Sequence, residues 1–328
     1  MSSLMRRRDF ITLIGGAVAA WPLAAHAQEP GRIYRLGNLH VFPRQAPWYV
    51  ALFDELRRHG FIEGQNLSVD EHGYGLRVEQ LAEHASELVK AKVDVILAGG
   101  DTAIRAAQRA TATIPILAIT DNLVGSGLAS SLAKPGGNTT GVSLLSSDLD
   151  GKRQDILMEV VPGLHRMAVL ADPNATAPRQ LQALQDSAHT RGVELFIHQV
   201  TKLDEIAPAL EAAKSSGAEA LNVLASPLLF ANRPVIIERT AALRLPAIYQ
   251  WPDEAEQGGL IGYGPRLVQL WRDIMARQLV QLLHGAKPAD VPIEQPTRFE
   301  LVINLKTAKA VGLTIPESFL VRADEVIE

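Results

Sequence analysis

Between Ile33 and Ile303 the chain alternates short apolar runs with longer stretches in which apolar residues recur every three or four positions. The short runs predict strands over 33–39, 67–71, 93–98, 114–119, 167–171, 193–199, 218–224, 246–249 and 299–303. The longer stretches predict amphipathic helices; Val78, Leu81, Ala82, Ala85, Leu88 and Val89 carry one such stripe. Strand and helix in strict alternation imply parallel sheets covered on both faces.

Two such blocks are visible, over about 32–138 and 148–258, separated by KPGGNTTGVS (134–143). A second glycine-rich strand, GGLIGYGP (258–265), leads into a long helix with Leu267, Leu270, Trp271, Ile274, Met275 and Leu282 on one stripe. AKPADVPIEQP (286–296) then makes a third connection. The reading is α/β, with two doubly wound parallel-sheet lobes joined by a three-crossover hinge. Lobe 1 is expected at 32–140 plus 264–287, and lobe 2 at 141–263 plus 288–328. Glycine and proline at the crossings suit backbone that bends when lobes close.

The N-terminus adds a destination. Three arginines (Arg6, Arg7, Arg8), an apolar stretch from Phe10 to Ala20 and the small-x-small ending Ala25-His26-Ala27 form a secretory signal, expected to be cut near Ala27 to release a periplasmic protein. Arg7-Arg8-Asp9-Phe10-Ile11 fits the twin-arginine pattern, although the Sec route remains open. Cysteine is absent, so neither a disulfide nor a lipid on cysteine is available. The remaining chain, about 300 residues, is long enough for two ordinary cores.

Removing the leader takes away three arginines and one aspartate, moving the formal net charge from −4 to −6. A mildly acidic chain without basic blocks is a poor nucleic-acid binder. No G-x-x-x-x-G-K-[ST] phosphate loop, third glycine after Gly73-Tyr74-Gly75 or Gly262-Tyr263-Gly264, or G-x-S-x-G elbow is present. The histidines lack zinc-like spacing. No cofactor and no metal are expected, and catalysis is unsupported.

Open parallel sheets place their sites at the carboxyl ends of strands. Those ends bring forward Phe42; Asp101 and Thr102; Asp121 and Asn122; Asn174; Ser226; and Tyr249 and Trp251. Thr139 and Thr140 in KPGGNTTGVS and Tyr263 in the second glycine-rich strand complete the candidates. Helix N-termini at Thr102 and Asn122 would offer N–H donors to a carboxylate. Asp101 or Asp121 would take an ammonium, and Trp251, Tyr263 or Phe42 would stack on an apolar body. Bland readings stand beside these: Asp101 as an N-cap, Asp172-Pro173-Asn174 as a turn, Thr139 and Thr140 in a pure hinge. Trp48 suits either cleft or lobe surface, and Trp271 on its helical stripe reads as core.

The strings VDVILAGGDTAIRAAQRATATIPI, SGLASSLAKPGGNTTGVS, RLPAIYQWPDEAEQGGLIGYGP and FELVINLKTAKAVGLTIPESFLVRADEVIE resemble the ABC transporter substrate-binding proteins of the tryptophan-binding, TrpX-like family. That resemblance spans nearly all of the chain after the leader. It implies the type I periplasmic-binding-protein fold, a ligand held between lobes, no enzymatic activity, and delivery by a monomer to an ABC permease and its ATPase. Characterised members bind aromatic amino acids, so the implied ligand is a small organic solute, an amino acid or small aromatic acid. Two positions depart: Leu123 stands where proline is common, and Pro252 where many relatives have arginine, a natural carboxylate partner. Two rival functions stay open from the sequence, a periplasmic sensor docking on a membrane receptor and an α/β enzyme acting on a small acid.

Overall fold

The computed structural model describes residues 31–328; the arginine pair, the apolar stretch and the cleavage motif of the expected leader lie outside the described residues. The first sheet contains β1 (Tyr34–Leu39), β2 (Leu67–Val69), β3 (Val95–Gly99), β4 (Ile116–Thr120) and β5 (Thr139–Ser143). They pair in parallel in the order β2-β1-β3-β4-β5. Helices α1 (Pro47–Arg58), α2 (Leu81–Lys90) and α3 (Asp101–Ala110) cross between them. Alternation along β3 shows why the run is wholly apolar. Val95 and Leu97 face the core containing α1, while Ile96 and Ala98 face the core under α2 and α3.

The second sheet is built from β6 (Arg166–Ala171), β7 (Glu194–Gln199), β8 (Ala220–Val223), β9 (Ala247–Tyr249), β10 (Ile261–Gly264), β11 (Glu300–Asn304) and β12 (Glu325–Ile327). Its order is β12-β11-β10-β9-β8-β6-β7. Around it lie α4 (Asp150–Val160), α5 (Pro178–Thr190), α6 (Leu203–Ser215), α7 (Pro227–Ala231), α8 (Arg233–Ala242) and α9 (Pro252–Glu256). The chain then returns to the first sheet through α10 (Leu267–Leu270), a π-helical turn at Trp271–Met275, and α11 (Ala276–Leu283). Leu267, Trp271, Leu279 and Leu283 share a core with Tyr34, Leu36 and the α1 residues Tyr49, Leu52 and Leu56. Two last helices, α12 (Leu305–Val311) and α13 (Glu317–Leu320), pack on the second sheet through Ala308 and Phe319.

Each strand expected from the apolar runs is present, and β10 lies within the glycine-rich 258–265 segment. Two strands are additional. β5 lies within KPGGNTTGVS and pairs with β4 over its full length, so an expected lobe boundary after 140 falls inside a strand. Its glycine has a steric cause. Gly141 has φ +143°, and a Cβ there would collide with the backbone carbonyl of Ala118. β12, at the C-terminus, pairs in parallel with β11.

The chain passes between the sheets at three places: 144–149, 264–266 and 295–299. Residues 293–294 still pair with the first sheet, because Ile293 N–H donates to Leu132 O (2.8 Å), and Glu294 exchanges bonds with Gly141 and Ser143. Segment 288–294 therefore stays with the first sheet, not the second. The third passage also explains a departure from all-parallel pairing. β10 runs toward the passages and β11 returns from them, so the two are antiparallel.

Candidate functional site

The carboxyl ends of the two sheets approach each other, and four aromatic rings fill the approach. Phe42 follows β1 and Trp48 opens α1; their rings are 5.5 Å apart, edge to face. Phe230, on α7 beyond the end of β8, lies 5.5 Å from Phe42 and 5.7 Å from Trp48. Trp251, just past β9, is 6.1 Å from Phe230. The four rings form a continuous path from the first sheet to the second, with spacings at which aromatic pairs attract.

Trp251 is held by local chemistry. It stands at the N-cap of α9, and its N–H donates to Glu254 Oε2 at 2.9 Å. The strand β10 presses close behind it; a side chain at Gly262 would strike the Trp251 carbonyl. This close approach, not phosphate binding, is what the G-Y-G sequence serves. Trp251 Nε1 is buried and makes no hydrogen bond. The hydroxyls of Ser146 in the first passage and Thr176 after β6 are also buried without partners. Each unmet donor of this kind costs free energy. The residues that carry these donors are tied into one bonded network, joined where Gln250 Nε2 donates to Ser226 O (3.4 Å). Ser146 O and Gln250 O both accept from Arg153 (2.9 Å each), and Thr176 N–H donates to Asp172 O, whose side chain meets Ser226.

Asp101 and Thr102 open α3, but the N-cap is Gly100, at φ +85°, so the N-cap reading of Asp101 does not hold. Asp101 Oδ1 accepts from the Thr120 hydroxyl (2.5 Å), while Thr102 is exposed. Asp121 is occupied: Oδ1 accepts the N–H groups of Ser146 (2.5 Å) and Ser147 (3.1 Å), and Oδ2 accepts the Ser147 hydroxyl. It anchors the first passage and is not free for an ammonium. Asn122 Oδ1 accepts from Gly125 N–H (2.7 Å) and its carbonyl from Ser126 N–H (2.9 Å), so the N-terminus expected there is that of a single capped turn, not of a helix.

Thr139 and Thr140 are structural. Gln108 Nε2 donates to Thr139 Oγ1 (2.9 Å), and Thr140 Oγ1 donates to Val291 O (2.6 Å), both with buried side chains. Asn174 is exposed in a turn, donating from N and Nδ2 to Asp172 Oδ1 (2.9 and 3.0 Å). Ser226 caps α7, accepting from Leu228 N–H (3.0 Å) and donating to Asp172 Oδ2 (2.8 Å). Tyr249 is wholly buried under α8. Thr240 gives its one hydroxyl proton to Ile237 O, so Tyr249 Oη donates to Thr240 Oγ1 at 2.8 Å. Tyr263 faces the other core, beside Phe299 (6.5 Å) and the α4 side of the sheet. Tyr249 and Tyr263 therefore do not join Trp251 in one aromatic site. Trp271 is core, as its stripe indicates, 4.9 Å from Tyr49.

Two features escaped the sequence reading. Phe230 lies four residues past Ser226, and an aromatic so soon after a strand end was the available signal. Arg233 stacks its guanidinium 4.4 Å from the Phe230 ring centre and donates to Phe230 O and Gln257 Oε1 (2.9 Å each). Burial sets the titration of the neighbouring groups. Glu254, sealed beneath Trp251, is pushed up to about 8 by desolvation. His40, among Tyr49, Tyr74 and Trp271, is pushed down to about 3 by the same cause, so it is a neutral ring. Among the described residues, no group of three or more histidines and carboxylates is placed to hold a metal ion.

Residues 48–327 match the ABC transporter substrate binding protein family. A tyrosine-binding protein of Clostridioides difficile is 27% identical over 266 residues, covering 79% of this chain and 74% of that one. Two crystal structures share the fold at 24% identity, each covering 90% of this chain and 100% of the other. One is a conserved domain protein from Vibrio cholerae (TM-score 0.80), the other the ABC domain from Streptococcus pneumoniae in complex with L-Trp (TM-score 0.76). With its two α/β lobes of type I periplasmic-binding-protein architecture, three passages and aromatic approach, the chain belongs to the ABC transporter substrate-binding protein family and is the binding component of a transport system, not an enzyme.

Proposed function

We propose that this protein captures an aromatic amino acid between its two lobes in the periplasm and delivers it, as a monomer, to an ABC permease with its ATPase. The observation that carries the reading is the aromatic path Phe42–Trp48–Phe230–Trp251, which joins the carboxyl ends of the two sheets. Rings supplied from both sides would sandwich a flat apolar body and draw the lobes together around it. The unpaired Trp251 Nε1, Ser146 Oγ and Thr176 Oγ1 would meet the polar end of the solute. With Pro252 in place of a family arginine, these neutral donors, together with Arg233, are the groups left to take a carboxylate. The tyrosine-binding and L-Trp-bound relatives support the class of solute. The leader, with its arginine pair, supports export and cleavage near Ala27.

Isothermal titration with L-Trp, L-Tyr, L-Phe and non-aromatic amino acids tests the reading. Binding confined to the aromatic set supports it; at a hundredfold excess over Kd, stabilisation of about 2.7 kcal/mol accompanies it. Equal binding of aliphatic amino acids, or none at all, overturns it.

A further inference from the structure

Arg153, in the first turn of α4, is wholly buried, and its guanidinium makes four hydrogen bonds. Nε donates to Tyr263 O (2.8 Å), and Nη2 to Gln250 O (2.9 Å). Nη1 donates both to Ser146 O (2.9 Å) and to Asp150 Oδ1 (2.8 Å). The three carbonyls come from distant parts of the chain but share one role. Ser146 is in the first passage between the sheets, Tyr263 is the residue before Gly264 and the second passage, and Gln250 precedes Trp251.

The first passage is gripped from both sides. Asp121, at the end of β4, holds the N–H of Ser146, and Arg153 holds its carbonyl. Just before Ser146, Leu145 sits at φ +51°, a left-handed conformation that strains a branched side chain. Asp150 seats the whole unit on the second sheet, accepting from Ala225 N–H (3.2 Å) and Gln180 Nε2 (2.7 Å). A wholly buried ion pair is a poor way to gain stability, since apolar residues of like volume often serve as well or better. A planar fork fixing several carbonyls at once does what an apolar residue cannot.

We propose that Arg153 is the positioning residue of the hinge, clamping the first and second passages to each other and to the loop that presents Trp251, so that the lobes rotate about one defined pivot. The proposal rests on the reading that solute is taken between the lobes, but its primary test needs no solute. Because the chain has no cysteine, spin labels can be placed by Ser86→Cys on α2 and Ser215→Cys on α6, exposed positions on opposite lobes. The distance distribution between them is measured in ligand-free protein carrying Arg153→Lys, which keeps the charge and loses the fork. A second variant, Arg153→Met with Asp150→Asn, removes both buried charges and keeps the volume, so that folding survives if the lysine variant fails. Gln154→Met is the control, altering a buried polar neighbour on α4 that bonds only Leu184 O (3.0 Å), away from the passages.

Both Arg153 variants are expected to broaden the ligand-free distribution, whereas Gln154→Met keeps the parent distribution whatever it does to the melting temperature. Where L-Trp binds, the Arg153 variants should weaken it by about tenfold. A parent-like distribution in the Arg153 variants, or equal broadening in Gln154→Met, overturns the proposal. If no aromatic amino acid binds the parent protein, the solute reading fails while the distance distributions still decide the pivot.

Discussion

The ring of Phe230 lies 5.7 Å from that of Trp48, a contact between a short helix on the second sheet and the first helix on the other. It joins the strand ends of the two sheets into one aromatic path. Phe230→Ala should weaken binding of an aromatic amino acid by about 1–3 kcal/mol, roughly five- to a hundredfold in Kd. Trp251→Ala should do the same. Tyr263→Ala, on the opposite face of the second sheet, should leave Kd within about twofold of the parent, below the ~0.5 kcal/mol scatter expected of an independent site. Titration calorimetry on the three variants checks the assignment, and a large loss at Tyr263 alone would move the site to the α4 side.

Tyr249 and Trp271 should report on stability and not on affinity. Tyr249→Phe removes one buried hydrogen bond to Thr240 and should cost about 1 kcal/mol. Trp271→Ala empties a core position beside Tyr49 and His40 and should cost about 3–5 kcal/mol. Denaturant unfolding measures both. Unchanged midpoints with impaired binding would place these residues in the site instead.

Glu254 gives stability a pH dependence of definite sign. Its carboxyl titrates at about 8 in the folded protein, raised by burial from 4.5. Between those values the folded state holds a proton that the unfolded chain has released, so stability falls as pH rises, at up to about 1.4 kcal/mol per pH unit. The contribution is fully present below pH 4.5 and lost through pH 8. Glu254→Gln keeps an acceptor for Trp251 N–H and removes the titration. The stability difference between parent and Glu254→Gln should therefore grow in favour of the variant from pH 5 to 8; a flat difference would mean that Glu254 is ionised throughout.

His40 has the opposite sign. Its ring titrates at about 3 against 6.5 when unfolded, so the unfolded chain takes the proton first and stability falls as pH drops below 6.5. Replacing His40 by Gln should flatten the acid limb of the stability curve between pH 6.5 and 3. Thermal melts across that range decide it, and an unchanged limb would assign acid sensitivity elsewhere.

Arg7 and Arg8 test the export route. Their joint replacement by lysine should leave uncleaved precursor in the cytoplasm if the twin-arginine pathway is used. Normal periplasmic yield, read by fractionation and immunoblot, would indicate the Sec route.

Periodicity alone was enough to reveal two α/β units, because strands such as β3 are covered on both faces and must be apolar at every position. The quoted strings then carried the family, and with it the expectation of a solute held between lobes. What they could not carry was phase. Tyr249, Trp251 and Tyr263 are close in sequence and equally aromatic, yet one lies under α8, one on the inter-sheet path and one on the α4 face. Which face a residue takes depends on where each strand begins, and one residue of offset reverses it. β5 was hidden for a related reason. Thr139, Thr140 and Gly141 have loop composition, and they become a strand because β4 and the 293–294 segment offer backbone partners on either side. The antiparallel entry of β11 follows from the route of the chain through the third passage, a matter of topology. The buried Arg153 carries no local signal at all. An arginine in an amphipathic helix reads as solvated surface, and only the convergence of Ser146, Gln250 and Tyr263, up to 117 positions apart in the chain, gives it three carbonyls to bind and a reason to be buried.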